Sequence, residues 1–378
     1  MIYYFTDIVL DEGLAENRKF KNSEAGKLRS LYILNSIKQP ITIVSMATPE
    51  KKGIFKSKYV KHDNIEIKYL TGFQLNVFFN LLFYFAYIIF FIFRNINKND
   101  TILLYNFIPK QTLPILFLKR IVGFRLIVEI EELYSSKRFG YFKNKLNKFT
   151  EKNGMKIADK FIVVNSYIKS IIHTDKQVLI NRGYLTKKID TTSFSIESRK
   201  IRILYSGRLD YDGGIEILLK AIENINFNCE LVITGSGPLK IFVENYNVSN
   251  PQVKMIYLGF VGNKEYSDIL KKSDVCINPI RINNRFDKAS FPSKVLTYLA
   301  NGNLVVSSYF YAIDDLPDSL KENILIFKDN NPIELAKALN ESKQMILENN
   351  FNKTQCQLNT YRFFKNQTNE LANFFKGL

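Results

Sequence analysis

The chain has 378 residues, enough for two domains of ordinary size, each with its own core. A hydrophobic content of 46% excludes a disordered chain, and a formal net charge of +17 points to anionic partners (nucleotide phosphates, anionic lipid, nucleic acid) or to a solvated lysine-rich surface. Three dispersed cysteines and two histidines make no metal-ligand spacing, so no metal site is expected and the usage fits a reducing compartment.

The opening MIYYFTDIVL lacks a basic leader followed by an apolar core, and reads as a first strand through Leu10 rather than a signal peptide. Further short β-branched runs fall at 41–47, 65–70, 101–107, 125–130 and 160–165, with helical spacing between them, as at 24–38 and 112–121. This alternation predicts a doubly wound parallel sheet. One segment stands apart: VFFNLLFYFAYIIFFIF, residues 77–93, in which only Asn80 is strongly polar. It is slightly short for a membrane span, and a span there would interrupt the sheet. It reads either as a buried crossover helix or as a helix with one face docked on an anionic membrane. The basic KKGIFKSKYVK (51–61) and FRNINKND would then meet headgroups.

A polar stretch, 186–200, reads as a linker. After it the pattern restarts, with strands at 201–207, 229–235, 253–259, 275–280, 304–308 and 324–327 and a helical tail from 331. The expected organisation is α/β with two Rossmann-like domains facing across a cleft. Residues 1–190 form the first and 191–355 the second, and a C-terminal helix, 356–378, packs back on the first.

In ILYSGRLDYDGG a strand ends at Gly207 and Arg208, the place where open α/β sheets bind ligands. Gly207 lets backbone approach a ligand and Arg208 can fork onto a phosphate. LVITGSGPLK repeats the design with Gly235 and Gly237, and Pro238 suits a first helical position. The loop completes no GxGxxG, so it supports NAD binding only weakly. ASFPSKVLTYLANG reads as a helix ended by Gly302, with Ser290, Ser293 and Lys294 at its mouth. Those groups serve either as a cap or as an anion site, since both use free N–H groups.

Four pieces in order, SGRLDYDGGIEILLKAI, LVITGSGPL, IYLGFVGNKEYSDILKKSDVCINP and FPSKVLTYLANGNLVVSS, resemble the donor-binding half of family four retaining glycosyltransferases with the GT-B fold. The resemblance spans roughly residues 202–327; the first half matches in rhythm, best at KIADKFIVVNSYIKSII and LINRGY. It implies a nucleoside-diphosphate sugar as co-substrate in the second domain and an acceptor on the first. It further implies retention of configuration with neither metal nor cofactor. Carried over by residue, Gly207 and Arg208 lie at the diphosphate, and Gly235 and Gly237 line the donor pocket. Phe260 and Val261 lie at the nucleobase. Ser290, Phe291, Pro292, Ser293 and Lys294 offer N–H groups and a cation to the diphosphate, whose growing charge such fixed donors stabilise. Glu131 and Glu132 in RLIVEIEELY stand where many members carry a histidine–acid pair. One of them would orient the acceptor hydroxyl or take its proton, unless the pair is a solvated acidic turn. Gly13 would let backbone approach the donor phosphate, or is a plain turn glycine.

Departures from the family pattern are as informative. The slot of the usual phosphate lysine is Gly213, which leaves Lys294 as substitute. The paired glutamates fall on Ala289 and Thr297; Thr297 can offer only a hydroxyl, and Asp287 would replace the first carboxylate. The expected function is a retaining, metal-independent hexosyl-type transfer to a polysaccharide or lipid-linked saccharide acceptor in bacterial surface-glycan biosynthesis. It would take place in the cytoplasm or peripherally at the inner face of the cell membrane. The alternative is a non-catalytic nucleotide-sugar binder acting as a scaffold. A nucleic-acid protein rests on charge alone, with no recognisable motif. An epimerase of this architecture would carry more carboxylates and histidine.

Overall fold

The structure is a computed structural model that describes residues 1–378 except 10–23, 47–52, 63–64, 75–76, 137–139, 173–174, 184–199, 282–287, 289–291, 329, 349 and 377–378. The chain divides into two compact units. The first comprises Met1–Tyr184, Lys288–Phe291 and Asn366–Leu378, and the second Leu185–Asp287 and Pro292–Lys365. The linker expected at 186–200 lies outside the described residues apart from Lys200.

Among the described residues the first unit holds ten strands: β1 (Ile2–Thr6), β2 (Ile41–Ser45), β3 (Gly53–Phe55), β4 (Lys58–His62), β5 (Ile65–Tyr69), β6 (Gly72–Gln74), β7 (Thr101–Tyr105), β8 (Arg125–Ile130), β9 (Lys160–Val163) and β10 (Gln177–Ile180). Eight form one sheet in the order β10-β9-β8-β7-β1-β2-β5-β4, parallel except for the edge strand β4, while β3 and β6 pair separately and antiparallel. Every residue of β1, β2 and β7 is buried, as strands covered on both faces require. The first strand stops at Thr6, short of the expected Leu10, because the Thr6 hydroxyl accepts the Ile8 N–H (3.2 Å) and turns the chain out of the ladder.

Among the described residues five helices accompany this sheet: α1 (Glu24–Ser36), α2 (Val77–Asn95), α3 (Pro109–Val122), α4 (Tyr141–Ile157) and α5 (Ser166–Ile171). α3 opens on a proline and closes at Gly123, whose left-handed φ of 82° lets its N–H reach the Lys119 carbonyl. α2 is the apolar segment picked out in the sequence. It buries Tyr84, Ile88, Phe91 and Ile92 in the core, and turns Phe79, Leu82, Ala86, Phe90 and Phe93 outward. The buried-crossover expectation therefore describes one face of α2 and not the other. Among the described residues no helix is long and apolar enough to cross a membrane.

Among the described residues the second unit has six strands, β11 (Ile201–Ser206), β12 (Cys229–Thr234), β13 (Val253–Gly259), β14 (Val275–Asn278), β15 (Leu304–Ser308) and β16 (Ile324–Phe327), all parallel in the order β13-β12-β11-β14-β15-β16. The connections run outward from β11 one way and from β14 the other, so a crevice opens beyond the carboxyl ends of these two strands. The helices here are α6 (Ile215–Ala221), α7 (Lys240–Glu244), α8 (Asn263–Lys272), α9 (Ser293–Ala300), α10 (Asp318–Lys321) and α11 (Pro332–Leu347). α7 begins at Lys240, so Pro238 belongs to the preceding turn and not to the first helical position. The last helix, α12 (Lys353–Lys376), gives Cys356 to the second unit, where its thiol donates to the Leu299 carbonyl (3.4 Å). It gives Leu371, Phe374 and Phe375 to the core of the first.

Candidate functional site

The crevice of the second unit is built on the end of β11. Lys294, on the first turn of α9, donates from Nζ to the Ser206 carbonyl at 2.7 Å, and the buried Tyr298 hydroxyl donates to the same oxygen at 3.4 Å. Burial pushes the Lys294 ammonium down to about 8, with Asp210 pulling the other way. A carbonyl is a poor substitute for a counter-ion, so this cation is under-compensated.

The neighbouring loops are packed too tightly for side chains. A Cβ on Gly235, whose φ is 129°, would lie 1.7 Å from the Gly207 carbonyl oxygen, and one on Gly237 would lie 2.3 Å from the Leu209 carbonyl oxygen. The loops after β11, β12 and β13 are laced by Gly207 N–H to the Thr234 carbonyl (3.0 Å) and Gly235 N–H to the Gly259 carbonyl (2.8 Å). In the β11–α6 loop Asp210 accepts the Gly213 N–H (2.7 Å), and a Cβ on Gly213 would lie 2.5 Å from the Arg208 carbonyl oxygen. The side chain of a lysine would therefore clash with backbone at that slot.

Arg208 is 74% exposed and pairs through Nε with Asp210 at 2.8 Å. Such a surface pair is worth little and opens cheaply. Arg281, which follows β14, lies 3.8 Å from the Tyr211 ring centroid and donates to the Tyr211 carbonyl (3.0 Å) and Glu216 (3.2 Å), pinning this loop across the crevice. Sequence reasoning missed Arg281, whose signal was a lone basic residue just past a strand.

α9 departs from expectation at its mouth. It starts at Ser293 after Pro292, and no side chain caps it, so the hydroxyl-cap reading is corrected for the described residues. Thr297 donates its hydroxyl to the Ser293 carbonyl one turn back (3.3 Å) and stays half-buried. Phe260 stands 85% exposed beyond Gly259, with Val261 half-buried beside it. The expected residues Gly13, Asp287, Ser290 and Phe291 lie outside the described residues, as does Ala289.

In the first unit the two expected glutamates follow β8. Asn106, in the left-handed region at φ 50°, accepts the N–H groups of Glu131 (2.8 Å) and Glu132 (3.3 Å) on its Oδ1. The Tyr105 hydroxyl donates to the Glu131 carboxylate. Burial raises the Glu131 carboxyl above its ordinary range, while the Tyr105 hydrogen bond and Arg29 oppose it. A solvated acidic turn does not describe this residue. Two features were not anticipated. Lys110, at the start of α3, donates to the Met46 carbonyl (2.9 Å) with Asp7 at 4.0 Å, beyond the ends of β1 and β7, where the connections of the first sheet diverge. Beneath Glu131, buried Glu129 takes Arg29 Nε at 2.6 Å.

Residues 200–343 match the family described as Glycosyl transferases group 1. Across its whole length the chain superposes on the UDP complex of Alr3699/HepE from Anabaena, with TM-score 0.68 and 12% identity, covering 100% of both chains. The lipopolysaccharide outer core galactosyltransferase WaaB in its apo form gives TM-score 0.68 and 13% identity over 100% of this chain and 99% of that one. The chain has the GT-B fold. An uncharacterized glycosyltransferase of Methanocaldococcus jannaschii, MJ1178, is 28% identical over 49% of this chain and 53% of its own length. A second from the same organism, MJ1607, is 34% identical over 26% of each. The chain thus spans about a quarter to a half of the length of these curated relatives.

Proposed function

We propose that this chain is a retaining glycosyltransferase. It moves a sugar from a nucleoside-diphosphate sugar to a polysaccharide or lipid-linked saccharide acceptor in bacterial surface-glycan biosynthesis, without a metal or a cofactor. It works in the cytoplasm or peripherally at the inner face of the cell membrane, with an anionic membrane surface as a partner.

Support comes chiefly from one observation: Lys294 Nζ sits on the Ser206 carbonyl at the crevice of a doubly wound sheet, desolvated and without a full counter-charge. A diphosphate supplies that charge. As the bond from the anomeric carbon to the diphosphate oxygen breaks, negative charge grows on the leaving group, and Lys294, Arg208 and the first N–H groups of α9 are the donors aimed at it. On the first unit Glu131 orients the acceptor hydroxyl or takes its proton, and a carboxyl raised by burial is better matched to that task than an exposed one. Solved HepE complexes hold UDP, UDP and glucose, or UDP-glucose, which makes UDP-sugars the first donors to try.

The test is a thermal-shift screen of nucleotide sugars, since a ligand bound only by the folded state raises the unfolding temperature by mass action. A shift with one nucleoside-diphosphate class is expected; no shift with any would overturn the proposal. Lys294→Met is expected to weaken donor binding by about 1.5–3 kcal/mol, the worth of a charge-assisted hydrogen bond. Its unfolding temperature should hold or rise, because a desolvated cation is removed. A matching loss of stability would mean that Lys294 serves the fold and not the donor. Glu131→Gln is expected to keep donor binding and the fold while turnover falls about a hundredfold or more. Unchanged turnover would remove Glu131 from the chemistry. The second reading, a non-catalytic scaffold, draws on Thr297, whose hydroxyl is turned back on its own helix where the family carries a glutamate. Binding without turnover on any acceptor would favour it.

A further inference from the structure

We propose that the outer face of α2, α3 and α4 is the surface that docks on anionic lipid, with α4 lying in the headgroup layer. This locates the membrane partner named above but does not depend on the transfer chemistry.

α2 packs on α3 and α3 on α4, and residues of all three line or pack against the same core cluster. Their opposite faces therefore point away from one core. On α2 that face is the stripe Phe79, Leu82, Ala86, Phe90 and Phe93, with the rings 51%, 62% and 58% exposed. The spacing of three and four residues makes it continuous along the helix. α3 continues the surface with exposed Phe117 and Ile121, and the Phe85 and Phe117 rings approach within 6.5 Å. On α4 the exposed positions are Tyr141, Phe142 and Phe149 interleaved with Lys143, Lys145, Lys148, Lys152 and Lys156.

Charge decides the occupant. The three helices carry nine basic side chains and one acid, Glu151. That acid is buried and accepts the Ser135 N–H at 2.9 Å. A second copy would set like charges against each other across a two-fold axis. Nucleic acid would use the lysines but not a neutral stripe of phenylalanines. An anionic bilayer uses both, with lysines at the phosphates and rings at the acyl boundary.

The experiment is vesicle flotation of the full chain with phosphatidylcholine alone and with phosphatidylcholine plus phosphatidylglycerol, at low and high salt. Binding to the anionic vesicles, reversed by salt, is expected. Lys145→Glu/Lys148→Glu/Lys152→Glu should lower partitioning about a hundredfold. Phe90→Ser/Phe93→Ser should lower it without changing the salt dependence. All these residues are exposed, so the variants should fold, which circular dichroism checks. Vesicle binding unaffected by both variants would overturn the proposal. So would retention of an oligonucleotide sensitive to the lysines alone, or a dimer in sedimentation that the phenylalanine variant dissolves. A variant that no longer floats yet keeps its donor thermal shift separates this surface from the donor site.

Discussion

Gly235→Ala is expected to destabilise the second unit by about 4 kcal/mol or more, enough to unfold it at physiological temperature. Two costs coincide at this position. The backbone sits at φ 129°, which L side chains rarely adopt, and the added methyl would lie 1.7 Å from the Gly207 carbonyl oxygen and 2.8 Å from its carbon. Those atoms belong to a loop fixed by Gly207 N–H to Thr234 and Leu209 N–H to Ser236 (both 3.0 Å), so they cannot retreat without breaking the lacing. Gly259→Ala is the matched control: its φ is 69°, but a Cβ there meets nothing within 4 Å, so only the backbone cost of about 1 kcal/mol applies. Chemical denaturation of the two variants should separate them by roughly 3 kcal/mol. Equal losses would mean that the two loops are not in the close approach described.

Glu129→Gln is expected to cost about 3–5 kcal/mol in the first unit. Glu129 is fully buried and Arg29 is 2% exposed. The carboxylate takes Arg29 Nε at 2.6 Å and the Tyr4 hydroxyl at 3.2 Å. The remaining guanidinium nitrogens go to Asn181, one to its side chain (2.6 Å) and one to its carbonyl (3.2 Å). An amide keeps the shape and removes the charge, leaving a buried guanidinium without its counter-ion. The double variant Arg29→Met/Glu129→Leu should recover much of the loss, because two desolvated charges vanish together. Urea unfolding of the single and double variants checks this. A double variant no more stable than the single would show that the hydrogen-bond frame, not the charge, carries the energy.

Much of the second unit was legible because its strands are short apolar runs with glycine at their ends, and local spacing is enough to find them. Strand order was not legible, since pairing of β11 with β14 joins residues about seventy apart. The first unit hid more. β3 and β6 are three residues each, and β4 reads KYVKH, too polar for a strand until it is seen as an antiparallel edge. Lys294 was legible from the Pro-Ser-Lys at a helix mouth. Its anchor was not, because the Ser206 oxygen is a backbone atom 88 residues away and no side chain encodes it. Glu129 passed as one polar residue in the strand RLIVEI, since its partner lies 100 residues upstream. Gly213 taught the reverse lesson. An absent lysine in the sequence became a steric exclusion once the Arg208 carbonyl was seen 2.5 Å from where a Cβ would sit.

The central claim is that Lys294 is a desolvated cation waiting for a diphosphate. With its ordinary value of 10.5 lowered to about 8, the ammonium costs stability below pH 8, and that cost fades between pH 8 and 10.5, where the unfolded chain binds more protons than the folded one. A bound diphosphate restores the charge, so binding above pH 8 must take up a proton. The direct measurement is calorimetric titration of the nucleotide sugar found in the thermal-shift screen into wild type and Lys294→Met at pH 7 and pH 9. Wild type should bind about tenfold more weakly at pH 9, with proton uptake seen as a buffer-dependent heat. Lys294→Met should bind more weakly at pH 7 and show no such fall. Equal affinities for the two proteins, or the same pH dependence in both, would contradict the account.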